Sequence, residues 1–456
     1  MADFKEQGGP STMDPLAYKR WIASKMLTSW VSLSGTDKRR IKQEKQRVNQ
    51  KLPHRIEYFH FVDDPYSHLT AQILETFSAR YNIQLTCYLV SKPPGDNAPE
   101  FELLMNLARY DAYMISEKYG LSFEACKEAP KQDVIKIAQS ILAAQDDQSF
   151  TSCVAEVSHA MWSDDKEQLL ELSKKFGSAP SEVISKSIAL GDARRAELKH
   201  YSGAMFYYAG EWYWGIDRLY HLENRLSSLG ADQKPNTRLI APRPEISEGP
   251  LKDSGCLTLE VFPTLRSPYS AIAFDRAVSL ASETGVNLSV RLVLPMVMRG
   301  VPTTTIKGHY IFWDTAREAR AAGVPFGKIY DPIGDPVRRC CSLIPWAETQ
   351  GKHLELIHAF YQCAFVKGIN TNNNRGLRKV VENAGLSWQE AKKRIGDPQG
   401  EKMLERNRLA LLDAGIWGTP SFRLLDSNGA QILALWGQDR LWRVADEIQQ
   451  QLTKMI

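Results

Sequence analysis

The chain repeats itself at long range, and that repeat limits the folds open to it. Asp64-Pro65-Tyr66-Ser67 follows an aromatic and β-branched run at residues 56–62, and Ser267-Pro268-Tyr269-Ser270 follows a similar run at residues 257–265. A helical stretch comes next in both places, and a second apolar run is reached 21 positions after the first motif residue, at Leu85 and at Leu288. Later, Trp214-Gly215-Ile216-Asp217-Arg218-Leu219 is answered by Trp436-Gly437-Gln438-Asp439-Arg440-Leu441. Solenoids repeat every ~20–50 residues, so two motifs recurring in one order over roughly 200 residues read as duplication of a whole domain. A length of 456 residues suits two or three domains.

Composition narrows the class further. A net charge of +4 over this length does not argue for nucleic acid. No run of 18 apolar residues is present to span a membrane, and the first 30 residues lack the apolar core of a secretory leader. The seven cysteines, Cys87, Cys126, Cys153, Cys256, Cys340, Cys341 and Cys363, form no Cys-x-x-Cys pair. This pattern predicts a cytoplasmic protein whose thiols pack as small hydrophobes. Adjacent Cys340 and Cys341 read as two reduced thiols, because a vicinal disulfide is strained. No His/Cys cluster has zinc-site spacing, so no metal is expected.

The order of signals along the chain predicts four segments. Residues 1–53 form a basic helical extension, loose over 1–13. Its first helix starts at Asp14-Pro15 with Trp21, Ile22, Met26, Leu27 and Trp30 as its apolar side. The run Lys38, Arg39, Arg40, Lys42, Lys45, Arg47 and Lys51 reads as a solvated basic helix in preference to a nucleic-acid arm. Residues 54–230 form a first α/β domain, with strands at 56–62 and 84–90 and a helical insertion over about 100–199. Residues 231–254, carrying Pro235, Pro242, Pro244 and Pro250, read as a linker. Residues 255–456 form the second domain. It has strands at 257–265 and 288–294, helix over about 315–414, a strand pair at 421–435 turning at Ser427-Asn428-Gly429, and a last helix from about Asp439.

The strand–Ser-Pro-Tyr-Ser–helix arrangement has two readings: taken alone, Ser-Pro reads first as a plain helix cap, and the same geometry also has a use in holding an anion. Ser267 stands at an N-cap position and Pro268 at the first helical position, where its missing N–H costs nothing. A helix start favours an anion by about 0.3–1 kcal/mol, and up to ~2 if partly buried. A hydroxyl donating to a charged acceptor adds about 1.5–3 kcal/mol. Together these lower the pKa of a bound thiol by roughly one to three units, enough to ionise much of it at neutral pH.

With Gly418-Thr419-Pro420-Ser421-Phe422 ahead of a strand and Trp-Gly-x-Asp-Arg-Leu near the end, these motifs resemble kappa-class glutathione transferases and 2-hydroxychromene-2-carboxylate isomerases, of the DsbA-like thioredoxin superfamily. The resemblance covers about 255–456 well and about 55–230 more weakly. It implies two tandem thioredoxin-like domains, each with a helical insertion. It implies that Ser267 holds the thiolate of glutathione as cofactor, and that Pro420 is a cis-proline. Thr419 would pair by its backbone with the glutathione cysteine, while Gln438 and Asp439 would hold the γ-glutamyl end. The insertion would cover a substrate pocket, with Tyr310, Trp313 and Trp346 as lining residues. Aromatic core packing is the competing reading for all three.

The first copy departs from this pattern, with Asp64 at the serine position and Ala204 at the proline position. A carboxylate ~4 Å from a thiolate repels it by about 4 kcal/mol at an effective dielectric near 20, more than a helix start returns. The implied function is a cytoplasmic glutathione-dependent isomerase or transferase with one active copy, acting on a small electrophilic or conjugated compound. The alternatives are a non-catalytic thioredoxin-fold scaffold and, against the missing Cys-x-x-Cys, a thiol–disulfide oxidoreductase. No membrane or nucleic-acid partner is expected. Tethering by the linker predicts a monomeric chain in which the copies form an intrachain pseudo-dimer.

Overall fold

The computed structural model describes residues 14–124 and 128–455. The expectation of a loose start at 1–13, and Cys126, lie outside them. The chain divides into a continuous unit, Asp37–Pro244, and a split unit made of Met1–Thr36 and Glu245–Ile456.

In the continuous unit a four-stranded sheet runs in the order β2-β1-β3-β4. The strands are β1 (His54–His60), β2 (Ile83–Leu89), β3 (Met205–Tyr208) and β4 (Glu211–Trp214). β1 pairs in parallel with β2 from His54↔Ile83 to His60↔Leu89, and antiparallel with β3, Ile56 facing Tyr208. A parallel pair needs a crossover, and the Pro65–Arg80 helix supplies it. Asp64 caps that helix and Pro65 opens it. β3 and β4 are joined through Ala209 and Gly210, both at positive φ (45° and 84°), as a tight hairpin turn requires. Helices Phe101–Ser116, Gln132–Ala143, Asp147–Trp162, Lys166–Phe176 and Ser181–Glu197 fill the expected insertion. Tyr58, Phe59, Phe77, Phe206 and Tyr213 are buried at its core.

The split unit has a second sheet, ordered β6-β5-β7-β8. Its strands are β5 (Thr258–Phe262), β6 (Asn287–Val290), β7 (Ser421–Leu425) and β8 (Gln431–Trp436). β5 is parallel to β6 and antiparallel to β7, and β7–β8 is a hairpin. The strands are shorter than the apolar runs 257–265 and 288–294: Pro263, with no N–H to give, directly follows β5, and β6 ends at Val290. The crossover is the Pro268–Thr284 helix, and the insertion begins at Thr305, ten residues before the sequence signal near Thr315. The last helix is Leu441–Met455, behind a tight turn at Gln438–Arg440, so Asp439 lies in that turn and does not start the helix.

Two sequence expectations change here. The stretch 1–53 is not one extension: its helices Ala17–Val31 and Leu33–Asn49 are separated at Ser32, and the division between units falls at Thr36. The Ala17–Val31 helix also turns the other way round. Arg20 donates to the carbonyls of Asp331 (2.9 Å) and Ile333 (2.6 Å) and pairs with Asp14. Ser24 Oγ accepts from the Asp331 N–H (3.1 Å), and Thr28 Oγ1 exchanges bonds with Ile329. The segment 329–333 is irregular, so its backbone groups need partners, and the polar stripe of the helix supplies them. Trp21, Ile22 and Met26 therefore face outward, while Leu27 and Trp30 pack inward with Val31.

The 231–254 stretch is tied down on both sides of Pro244. In the continuous unit, Arg80 makes a two-pronged pair with Asp232, and Glu223 accepts from the Ile240 and Ala241 amides. In the split unit, Gln449 bonds the carbonyls of Glu248 and Leu251, and the Asp253 N–H donates to Thr284. Among the described residues, no helix is long and apolar enough to cross a membrane.

Candidate functional site

The split unit gathers most of the sequence-predicted residues at one end of its sheet. Ser267 caps the Pro268–Thr284 helix, its Oγ accepting the Ser270 N–H at 3.2 Å. That bond uses an acceptor lone pair and leaves the hydroxyl proton available to donate. The Thr419–Pro420 peptide is cis. Because Ser421 lies opposite Phe262, Pro420 is at the same sheet end as the Pro263–Ser267 segment leading into the helix. Gly418 fits there because a Cβ would come within 1.8 Å of the Trp436 ring.

Gln438 is buried, and its side chain is already engaged: Nε2 donates to Glu318 (2.9 Å) and Oε1 accepts from Arg276 (3.3 Å). Asp439 keeps a partly exposed carboxylate, 3.7 Å from Arg440. The expected lining residues divide differently. Tyr310 is buried, Trp313 lies against Trp30 with ring centroids 6.0 Å apart, and Trp346 borders the helical core that contains Cys340 and Cys341.

Two features escaped the sequence. Lys307, in the first turn of the Thr305–Ala321 helix, has its ammonium buried, which lowers its pKa to about 8. Tyr269 donates to Asp314 Oδ2 at 2.7 Å, across 45 residues, and Asp314 is paired with Arg317. A separation of 45 residues spanning two helices and a strand gives no local periodic signal.

The same bonds recur in the continuous unit, 203 positions earlier up to the helical insertion and 216–222 earlier in the closing hairpin. Tyr66 donates to Asp111 Oδ2 at 2.7 Å. The Phe61 N–H donates to Ser67 Oγ (3.2 Å) as the Thr264 N–H does to Ser270 Oγ (3.3 Å). The Val90 N–H donates to the His60 carbonyl (2.9 Å) as the Val293 N–H does to Pro263 (3.0 Å). The Gly215 N–H donates to Ala204 (2.6 Å) as the Gly437 N–H does to Pro420 (2.9 Å), which sets Ala204 at the proline's place in the hairpin.

The capping residue differs in chemistry. Asp64 accepts from the Ser67 N–H (3.0 Å), Ser67 Oγ (2.9 Å) and the Tyr66 N–H (3.4 Å), and burial raises its pKa to about 6. Nearby His60 and His68 are buried and held neutral by desolvation, their pKa values lowered to about 3 and about 4. The described cysteines are all free, and burial pushes the thiols of Cys153 and Cys341 up to about 12. Among the described residues, no group of three or more His, Cys, Asp or Glu side chains is arranged to hold a metal.

Comparison with known proteins assigns the fold of one half. Residues 258–449 match the family model of the DSBA-like thioredoxin domain. No curated protein matches the chain. Similar solved structures include a 2-hydroxychromene-2-carboxylate isomerase at 16% identity, covering 43% of this chain and 97% of that one, with a TM-score of 0.37. They also include the cytosolic disulfide reductase DsbM from Pseudomonas aeruginosa (20% identity, 43% and 99% covered, TM-score 0.34). A probable DsbA oxidoreductase from Streptomyces coelicolor is similar at 16% identity (42% and 90% covered, TM-score 0.33). The C-terminal half of this mixed α/β protein therefore contains a DsbA-like thioredoxin domain.

Proposed function

We propose that the split unit is a glutathione-dependent isomerase or transferase for a small electrophilic or conjugated compound, and that the continuous unit is a degenerate thioredoxin-like copy from a tandem duplication. The observation that carries the first part is the hydroxyl cap at Ser267, with a proton left to donate at the positive end of a 17-residue helix. The shared sheet order and the recurring hydrogen bonds support the second.

Glutathione bound there supplies a thiolate able to add to a conjugated double bond and leave again. Ser267 donates to that sulfur and stabilises its charge without acting as a nucleophile. Thr419, before Pro420, offers backbone groups to an extended peptide as an added strand would. Asp439 faces the γ-glutamyl ammonium, while Gln438, engaged with Glu318 and Arg276, contributes by holding the turn. Buried thiols with raised pKa values suit the reducing cytoplasm. The engagement of Gln438 is the one observation that favours a non-catalytic scaffold.

Calorimetric titration of the full chain with glutathione separates these readings. One site per chain is expected, weakened at least tenfold by Ser267→Ala and unchanged by Asp64→Asn. Absence of any glutathione binding to the wild type would leave the scaffold reading.

A further inference from the structure

The Ala17–Val31 helix spends its polar stripe on the split unit and turns large apolar side chains to solvent. Tyr18 is 59% exposed, Trp21 53%, Ile22 46% and Met26 68%. At 100° per residue these four fall within one arc of about 140°, opposite Arg20, Ser24 and Val31. Lys25 lies inside that arc and Lys19 at its edge, both exposed. The helix contains no acidic residue.

An exposed cluster of this kind marks an interaction surface. We propose that this helix face docks on an anionic lipid surface. The face is a convex ridge and needs no complementary pocket, only a boundary with an apolar interior and negative headgroups. Trp and Tyr suit that boundary, and lysine stems extend past apolar groups toward phosphate. A second copy fits less well: helix against helix, antiparallel, would set Lys19 beside its partner's Lys25 with no carboxylate on the helix to neutralise either. Attachment of this sort is peripheral, so it departs from the expectation of no membrane partner without requiring a spanning segment.

The test is co-sedimentation of the full chain with phosphatidylcholine vesicles, with and without about one-third phosphatidylglycerol. Binding is expected to the anionic vesicles only, and to fall as salt rises. Trp21→Ser/Ile22→Ser/Met26→Ser should weaken it about tenfold or more. Lys19→Gln/Lys25→Gln should weaken it about fivefold per lysine. All five positions face outward, so the variants should keep the wild-type circular dichroism. No binding to anionic vesicles, equal binding to neutral ones, or binding indifferent to both variants would overturn the proposal. A dimer that forms without lipid and is abolished by the triple variant would overturn it too, and assign the face to a second copy.

Discussion

Removing the hydroxyl at Ser267 should have two separable consequences. Ser267→Ala takes away a donor worth about 1.5–3 kcal/mol to a charged acceptor, so the thiol of bound glutathione should rise by about one to two pKa units. Thiolate absorbance in the ultraviolet, followed against pH in the complex, measures this. The variant also loses its cap bond to Ser270, at about 0.5–2 kcal/mol of stability. At Asp64 the titration runs the other way. Its pKa is about 6 in the fold against 3.8 as a free side chain, so the protonated form is the one the fold prefers. Its contribution is full below about pH 3.8 and is lost as pH rises toward 6, up to about 3 kcal/mol. Asp64→Asn should therefore stabilise the continuous unit at pH 7 and do little at pH 4, as urea unfolding at the two pH values would show. Ser267, Pro420 and Asp64 were legible because each stands in a short motif with its own local physics. Lys307 and the Tyr269–Asp314 pair were not, since burial and a 45-residue contact depend on how the helical insertion folds back.

At the scale of elements, the sheets were read more accurately than the N-terminal helix. Six of the eight strands fall on apolar runs read from the sequence, whereas β3 and β4 of the continuous unit, only four residues each, gave no such signal. The orientation of Ala17–Val31 did not follow from its composition. Its apolar residues outnumber the inward positions, and the demand that decides its seating comes from backbone groups about 300 residues away, at Ile329, Asp331 and Ile333. Deleting residues 14–36 should leave those groups without their protein partners and uncover Trp313. The split unit should then unfold at lower denaturant concentration. A synthetic peptide of residues 14–36 added in trans should restore part of the loss, measured by the shift of the unfolding midpoint.

Over the whole molecule the two units should differ in acid tolerance. His60 and His68 are held neutral with pKa values of about 3 and about 4, below the usual 6.5. Their neutral forms are favoured by the fold, so this stability is full above about pH 6.5 and is lost as pH falls. Buried His200 of the same unit has its pKa likewise lowered to about 3. Asp64 works in the opposite sense between about 6 and 3.8, but it is one group against three histidines, so the continuous unit should lose stability between pH 7 and pH 4. The split-unit positions corresponding to His60 and His68 are Pro263 and Ala271, which do not titrate. Limited proteolysis at pH 4–5 should therefore cut first within residues 37–244, and preferential cutting elsewhere would show that the buried histidines do not control acid stability.

The split unit is assembled from both ends of the chain, and this bears on how the protein can be made. During synthesis the Ala17–Val31 helix leaves the ribosome before the segment that seats it, which ends about 300 residues later at Ile333. At ~5–20 residues per second the wait is roughly 15–60 s. Over that interval the continuous unit is complete and able to fold, while Trp30 and Val31 have no core to enter. A nascent chain of this design must either shield that helix with a chaperone or park it elsewhere until its other half emerges.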